Sequence, residues 1–325
     1  MEYTETNNMN VDVVIVTYNR LEKLKKTLQC YESQTQTFRN LIVVNNHSTD
    51  GTYEYLKEWS NKETPFGKHI ITTKENLGGA GGFYTGQKKA MTMQPDWVFI
   101  ADDDAYPEPD MMQRFYEFTE GKDMSQYAAI CAAVYNPDRT LDVSHRSRYE
   151  VKQGKYFTWN SSTEEDYQKT FFKIDFLSYV GSFLNGNALK SVGLVNPKFF
   201  IYNDDSEHSL RLGKYGELIC VPSIKIVHDV KKVGQVNYQV TDDDVLVTWG
   251  DYYTNRNEMY MFKKHIHSLA KYRFTTALKR HLKGKDETAY DKIKWIAYRD
   301  AWLGKLGRHS VYKPGWSIRK SDLKK

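Results

Sequence analysis

Cysteine is scarce: Cys30, Cys131 and Cys220 are an odd number, widely scattered, and form no CxxC or Cys/His metal spacing. A disulfide scaffold and a zinc-ribbon site are thereby excluded, and a reduced, cytoplasmic compartment is expected. Long apolar runs are also missing. No stretch approaches the roughly 20 apolar residues that span a bilayer, and the opening MEYTETNNMN has neither the basic start nor the apolar run of a signal peptide. The sequons at Asn46 and Asn160 therefore carry no glycosylation argument. There is no internal repeat and no low-complexity segment.

What is present is an ordinary globular mixture, 40% hydrophobic and 27% charged, in 325 residues. That length suits one large α/β domain with a helical appendage, or two modest domains. Tyrosine is abundant, at 24 residues, and suits surfaces that stack on sugars or bases while keeping a polar tip wet. Charge is uneven. From Lys263 to Lys325, 18 Lys/Arg stand against 5 Asp/Glu, so a +13 tail follows a body of −8 within a net +5. A basic tail on an acidic body predicts a partner of negative charge.

The first half reads as strand, turn and helix, repeated. Val11 to Val16 is read as a continuous buried run, and Leu21, Leu24, Leu28 and Tyr31 follow at helical spacing. Leu41 to Val44 ends in NNHSTDG, after which Tyr53, Leu56 and Trp59 are again helically spaced. His69 to Thr73 precedes NLGGAGG and a helix from about Phe83 to Met91; Trp97 to Ala101 runs into Asp102, Asp103 and Asp104. This alternation predicts a parallel sheet covered on both faces, with ligands at the carboxyl ends of its strands. Arg146 to Thr170 has no clean period and is expected to be an insertion or mobile loop. From about Asp251 the pattern turns helical, with Ile266, Leu269, Phe274, Leu278 and Leu282 on one face.

Several segments could carry chemistry. Side chains alternate in extended backbone, so Asp102 and Asp104 can face one way together. Two such carboxylates suit Mg²⁺ or Mn²⁺, which also bind substrate phosphates; a solvated acidic turn is the other reading. NLGGAGGF permits close backbone approach to an anion at a helix start, or simply tight helix packing. It lacks the P-loop lysine, which excludes that class of ATPase. In FFIYNDDSEHSLR, Asp204, Asp205 and Glu207 adjoin aromatics, a setting that raises carboxylate pKa and suits a general base; helix capping is the alternative. His228 ends a short apolar run and reads as structural on its own. In YYTNRN, Arg256 with the paired Tyr252 and Tyr253 could hold phosphate or a sugar; core packing of the tyrosines is the plain alternative.

Taken in order, VVIVTYNR, VVNNHSTDGT, NLGGAGGF, DDDAYPEPD, VGSFLNGNALKSVGLVNPKFFIYNDDSEHSLR, KIVHD and YYTNRN resemble family two of the inverting glycosyltransferases. They span about residues 11 to 257, and within the family the likeness is greatest to galactofuranosyltransferases and rhamnosyltransferases. The resemblance implies a GT-A fold, an α/β Rossmann-like and mostly parallel sheet with helices on both faces, over residues 1–262. A basic helical region, 263–325, would follow. It implies donor contacts from Thr17, Arg20, Asn46, Asn76, Gly79, Asp103 and Arg256. It further implies Mn²⁺ or Mg²⁺ on Asp102, Asp104 and His228, with Asp205 as catalytic base and Asp204 beside it. An Asp is usual in the family where this chain has Asn45 or Asn46, and that acid commonly reads the uracil or ribose.

The implied activity is inverting transfer from a nucleotide-diphosphate sugar to a hydroxyl of a glycan or lipid-linked glycan, in bacterial cell-surface polysaccharide assembly. UDP-galactofuranose is the favoured donor, with UDP-galactose and dTDP-rhamnose as alternatives. Two other classes stay open, an inactive sugar-nucleotide-binding partner and a nucleotidyltransferase. The latter should open on a glycine-rich, arginine-containing loop, where this chain has VTYNR. For the tail, an anionic membrane surface at the inner face of the cell membrane, a subdomain packed on the core, and a second copy of the chain are the expected roles. Trp295, Trp302 and Trp316 would serve as interfacial anchors. Nucleic acid is not expected, because no reader motif accompanies the basic residues.

Overall fold

The computed structural model describes residues 9–230, 245–284 and 287–324. Strands and helices alternate first: β1 (Val11–Thr17), α1 (Leu21–Glu32), β2 (Asn40–Asn45), α2 (Thr52–Trp59), β3 (Gly67–Thr72), α3 (Gly78–Met91) and β4 (Trp97–Asp102). Then come β5 (Ala105–Pro107), α4 (Met111–Thr119), β6 (Tyr127–Tyr135), β7 (Arg146–Lys152), β8 (Tyr156–Ser161), β9 (Phe172–Ile174) and β10 (Phe176–Leu177). After them lie β11 (Ser182–Asn185), α5 (Gly186–Val192), α6 (Asp204–Leu212) and β12 (Glu217–His228). The chain closes with β13 (Val245–Thr248), α7 (Trp249–His265), α8 (His267–Lys283), α9 (Ala289–Trp302) and β14 (Ser317–Arg319).

One sheet runs β3-β2-β1-β4-β11-β6-β12-β5, with β9 also on β12. β1 to β4 are mutually parallel, as the alternation predicts, while β11 enters antiparallel to both β4 and β6. Side-chain alternation gives β1 two cores. Val11, Val13 and Ile15 meet Leu24, Leu28, Leu56 and Trp59 on one face; Val14 and Val16 meet Phe83 and Ala90 on the other. The β1 run is not wholly apolar. Asp12 is fully buried and satisfied by Arg39, at 2.9 and 2.7 Å, and by Asn40 Nδ2 at 2.8 Å.

Helix α3 begins at Gly78, five residues before the expected Phe83. Its glycines let it lie against β1: a Cβ on Gly82 would stand 2.4 Å from Val16, and one on Gly86 2.2 Å from Val14. The segment expected to be an insertion or a mobile loop contains a hairpin, β7–β8, with β10 on its other side, so the mobile-loop alternative does not hold for it. Its aromatics break the period because they pack on one another. Phe157 contacts Tyr149, Trp159 and Phe262, the last on α7.

Helices α7, α8 and α9 pack together, and the boundary expected after residue 262 falls inside α7. The three tryptophans expected at a membrane take part in this packing: Trp302 stacks on Phe274 at 4.5 Å, Trp295 lies 5.5 Å from Phe274, and Trp316 meets Tyr312. Among the described residues, no helix is long and apolar enough to cross a membrane.

Candidate active site

The carboxyl ends of β1 and β4 are neighbours, with Val16 opposite Asp102. Past Asp102 the chain turns tightly and returns as β5, which pairs antiparallel with the end of β12, Ala105 opposite His228. This turn places a histidine from late in the sequence against the acidic cluster. One ligand atom from each of Asp102, Asp104 and His228 can be chosen so that all lie within 4.8 Å of one another. His228 Nε2 is 3.4 Å from Asp104 Oδ1, an atom that is buried and has no hydrogen-bond donor of good geometry. A buried, unpaired carboxylate oxygen beside an imidazole nitrogen and a second carboxylate fits a hard divalent cation.

Cations already surround this cluster. Arg20 Nη1 reaches Asp104 Oδ2 at 2.8 Å and Asp103 Oδ1 at 3.2 Å, and Lys23 Nζ reaches Asp104 Oδ2 at 3.2 Å. Burial raises the Asp104 pKa, but His228, Arg20 and Lys23 outweigh it and hold the group down to about 2. Asp102 has fewer cationic neighbours, and burial together with Asp104 pushes it up to about 7. Two adjacent acids thus titrate far apart, in the pattern of groups that share one cationic neighbourhood unequally.

Asp103 faces the other way. It is buried, accepts from Thr17 Oγ1 at 2.7 Å, and its carbonyl accepts from Thr27 Oγ1 at 2.6 Å. Thr17 and Asp103 therefore brace the β1–α1 turn, while the half-exposed Arg20 is the open member of that group. Asn46 is likewise a brace. Its amide donates to Asn76 Oδ1 at 3.2 Å and to Gly78 O at 3.0 Å, and its Oδ1 accepts from Leu77 N at 2.9 Å. Asn45 Oδ1 is engaged by Ser48 N. The glycine loop is thereby fixed at the head of α3, with Gly79 facing open space.

Across from this wall stands the start of α6. Asp204 and Asp205 occupy its first turn, both half-buried. Burial, reinforced by Asp205, raises Asp204 well above the carboxylate range, and burial raises Asp205 to about 6 against the pull of Ser206 N–H. Asp102 also contributes to the rise of Asp204, which ties the two acidic groups into one site. Glu207 points elsewhere, paired with Arg211 at 2.9 Å and with His265 at 3.1 Å.

The loop before α6 is strained. Phe200 (φ 67), Tyr202 (φ 67) and Asn203 (φ 58) are left-handed without being glycine, at about 1–3 kcal/mol each. Phe200 O accepts from Ala80 N at 3.2 Å and would lie 2.0 Å from a Cβ on Gly78, whose own φ is 71. Only glycine fits there.

Arg256, expected at the donor, is instead a buried tether. Its guanidinium donates to Phe199 O at 2.9 Å, Gly307 O at 2.6 Å and Asn257 Oδ1 at 2.9 Å, and lies over the ring of Tyr253. It is buried on α7, with its guanidinium N–H groups engaged by these protein acceptors. Lys23 and His145 are the neighbours the sequence reading missed. Lys23 lies one turn after Arg20 on α1, a readable spacing. His145, whose Nε2 is 3.4 Å from His228 Nδ1 and whose Nδ1 is 2.7 Å from Ser178 Oγ, has no local sequence signal.

Comparison with known proteins agrees with this geometry. The model of glycosyl transferase family 2 matches residues 12–193. Galactofuranosyltransferase GlfT1 of Mycobacterium tuberculosis is 26% identical over 213 residues, 64% of this chain and 66% of that protein. GlfT1 of Mycolicibacterium smegmatis is 26% identical over 223 residues, 66% of this chain and 68% of its own. The chain thus spans about two thirds of the length of these relatives. Among solved structures, GalNAc-T7 with UDP, GalNAc and Mn²⁺ superposes with TM-score 0.58 at 11% identity, over 95% of this chain and 56% of that one. Mannosyltransferase PcManGT from Pyrobaculum calidifontis, with GDP-Man and Mn²⁺, gives 0.52 at 15% identity, over 92% and 87%. The fold is the GT-A arrangement expected from the sequence, with a helical C-terminal region.

Proposed function

We propose, from the premise that the chain belongs to glycosyl transferase family 2, that it transfers a sugar with inversion from a nucleotide-diphosphate donor to a hydroxyl of a glycan or lipid-linked glycan. The observation that carries the reading is two acidic groups in one neighbourhood: the Asp102–Asp104–His228 cluster and, near enough for Asp102 to raise Asp204, the Asp204–Asp205 pair. UDP-galactofuranose is the favoured donor because the curated relatives are galactofuranosyltransferases; UDP-galactose and dTDP-rhamnose are the competitors.

Asp102, Asp104 and His228 would hold Mn²⁺ or Mg²⁺. Bound there, the ion supplies Lewis-acid neutralisation of charge on the leaving diphosphate. Arg20, half-exposed beside the cluster, adds positive charge and keeps Asp104 ionised. Asn76 and Gly79, at the head of α3, present backbone to the donor, while Thr17, Asp103 and Asn46 hold these parts in place. Asp205 takes the acceptor proton as the hydroxyl attacks the anomeric carbon from the face opposite the diphosphate, so a single displacement inverts the centre. Asp204, more firmly protonated, donates a hydrogen bond to the acceptor. The biological setting proposed is cell-surface polysaccharide assembly.

The test is a panel of nucleotide sugars offered with and without Mn²⁺, with released nucleotide identified by mass and the product anomer by NMR. Release of one nucleoside diphosphate with an inverted glycoside supports the reading. Binding without turnover would identify an inactive nucleotide-sugar-binding partner, and release of pyrophosphate from a nucleoside triphosphate would identify a nucleotidyltransferase.

A further inference from the structure

Asn257 is fully buried on α7, and its side chain hydrogen-bonds to Arg256 on its own helix and otherwise to the loop before α6. Its amide nitrogen donates to three carbonyls of the loop before α6: Phe199 O at 3.0 Å, Ile201 O at 2.8 Å and Tyr202 O at 2.8 Å. An amide has two N–H groups, so three acceptors share them and converge on one point. Arg256 Nη2 reinforces Phe199 O at 2.9 Å, and Asn203 Nδ2 returns the contact to α7 through Thr254 O at 3.2 Å. The residues gripped are those with left-handed backbone, Phe200, Tyr202 and Asn203, or their immediate neighbours, and the next residues are Asp204 and Asp205. On its other side the loop rests on the glycine turn through Ala80 N to Phe200 O. Strained backbone persists only where its surroundings over-determine it. Here three of the hydrogen bonds that hold the loop come from one amide.

We propose that Asn257 is a positioning residue for the reaction: by gathering the Phe199, Ile201 and Tyr202 carbonyls it sets where the Asp204–Asp205 carboxylates stand relative to the cation cluster and the glycine turn. The inference rests on the reading of Asp205 as base. It assigns the first helix of the C-terminal region to the active site's geometry, and it makes Arg256 a co-tether.

Asn257→Leu keeps the volume and removes both N–H groups; Asn257→Gln keeps them but moves them by one methylene. The expected result is a fall in kcat for transfer of about 10²-fold in Asn257→Leu, with a smaller fall in Asn257→Gln. The affinity for nucleoside diphosphate with Mn²⁺, measured calorimetrically, should stay within about twofold, because Asn257 makes none of its hydrogen bonds to the cation cluster or the glycine turn. Asp205→Asn is run alongside. If Asp205→Asn is dead while Asn257→Leu is folded and turns over normally, the positioning role fails and the base reading stands. If Asp205→Asn is fully active, the base reading fails first. Where Asn257→Leu does not fold, Asn257→Gln decides: a parallel loss of kcat and nucleotide affinity would reduce Asn257 to a general structural residue and overturn the proposal, and a loss of kcat alone would support it.

Discussion

His228 Nε2 stands 3.4 Å from Asp104 Oδ1 because Ala105, next to that aspartate in sequence, pairs with His228 across the β5–β12 ladder. The imidazole is thus delivered by backbone pairing rather than by a flexible loop. Removing it with His228→Ala should weaken Mn²⁺ binding by more than the roughly 10–100-fold that loss of an outer partner costs. Titration followed by the EPR signal of free Mn²⁺ measures this, and excess chelator should silence transfer by the parent until metal is restored. Unchanged Mn²⁺ affinity in the variant would remove His228 from the ligand set.

The base must be ionised to accept a proton, and burial lifts Asp205 to about 6. Transfer should therefore rise with pH through about 6 and then level, where an ordinary surface carboxylate would give a limb near 4. Asp205→Asn should lower the rate by about 10²–10⁴ while nucleotide binding persists. A far larger loss in Asp204→Asn than in Asp205→Asn would exchange the two roles.

Asp204 makes the opposite statement about stability. Its folded-state pKa is raised, so the native chain holds the proton more tightly than the unfolded chain does. Native stability is then favoured below the unfolded value near 4 and declines as pH climbs toward the folded one. Asp204→Asn removes the charge, so it should melt higher than the parent at pH 7.5, with the gap closing by pH 4. Equal melting temperatures at both pH values, measured in chelator, would show that the carboxylate is not desolvated as described.

Helix α8 carries Lys271, Arg273, Lys279, Arg280 and Lys283 with no acid, and buries only Leu269 and Ala270. With Leu282 exposed beside these charges, we expect the chain to sediment with anionic vesicles at low salt and to release at high salt, each basic residue near the leaflet contributing about 1 kcal/mol. Lys279→Glu with Lys283→Glu should abolish pelleting. No binding, together with unfolding on truncation after Tyr260, would make the helices purely structural, a role that the Phe274–Trp302 stacking already gives part of them.

Much of this was written locally. The β-branched runs and helical spacings located β1 to β4 and their helices, and the DDD at a strand end marked the cluster, because these signals depend on neighbours in sequence. What was not legible depends on neighbours in space. Asp12 looked like part of an apolar run until Arg39 supplied its partner. That Arg256 bonds Gly307 O and Phe199 O was equally hidden, because a motif names residue types and not their partners in space. The β7–β8 hairpin hid because its aromatics serve each other and α7, so neither face keeps a clean period.

Because Gly82 and Gly86 bring α3 flush against β1, the head of that helix and the strand beneath it form one stiff anvil, with β4 hydrogen-bonded alongside. Adding a methyl at Gly86 would wedge the two apart, at about 1–3 kcal/mol. A stiff donor wall has a kinetic corollary. Any adjustment that admits an acceptor or releases a product should therefore come from elements other than α3 and β1.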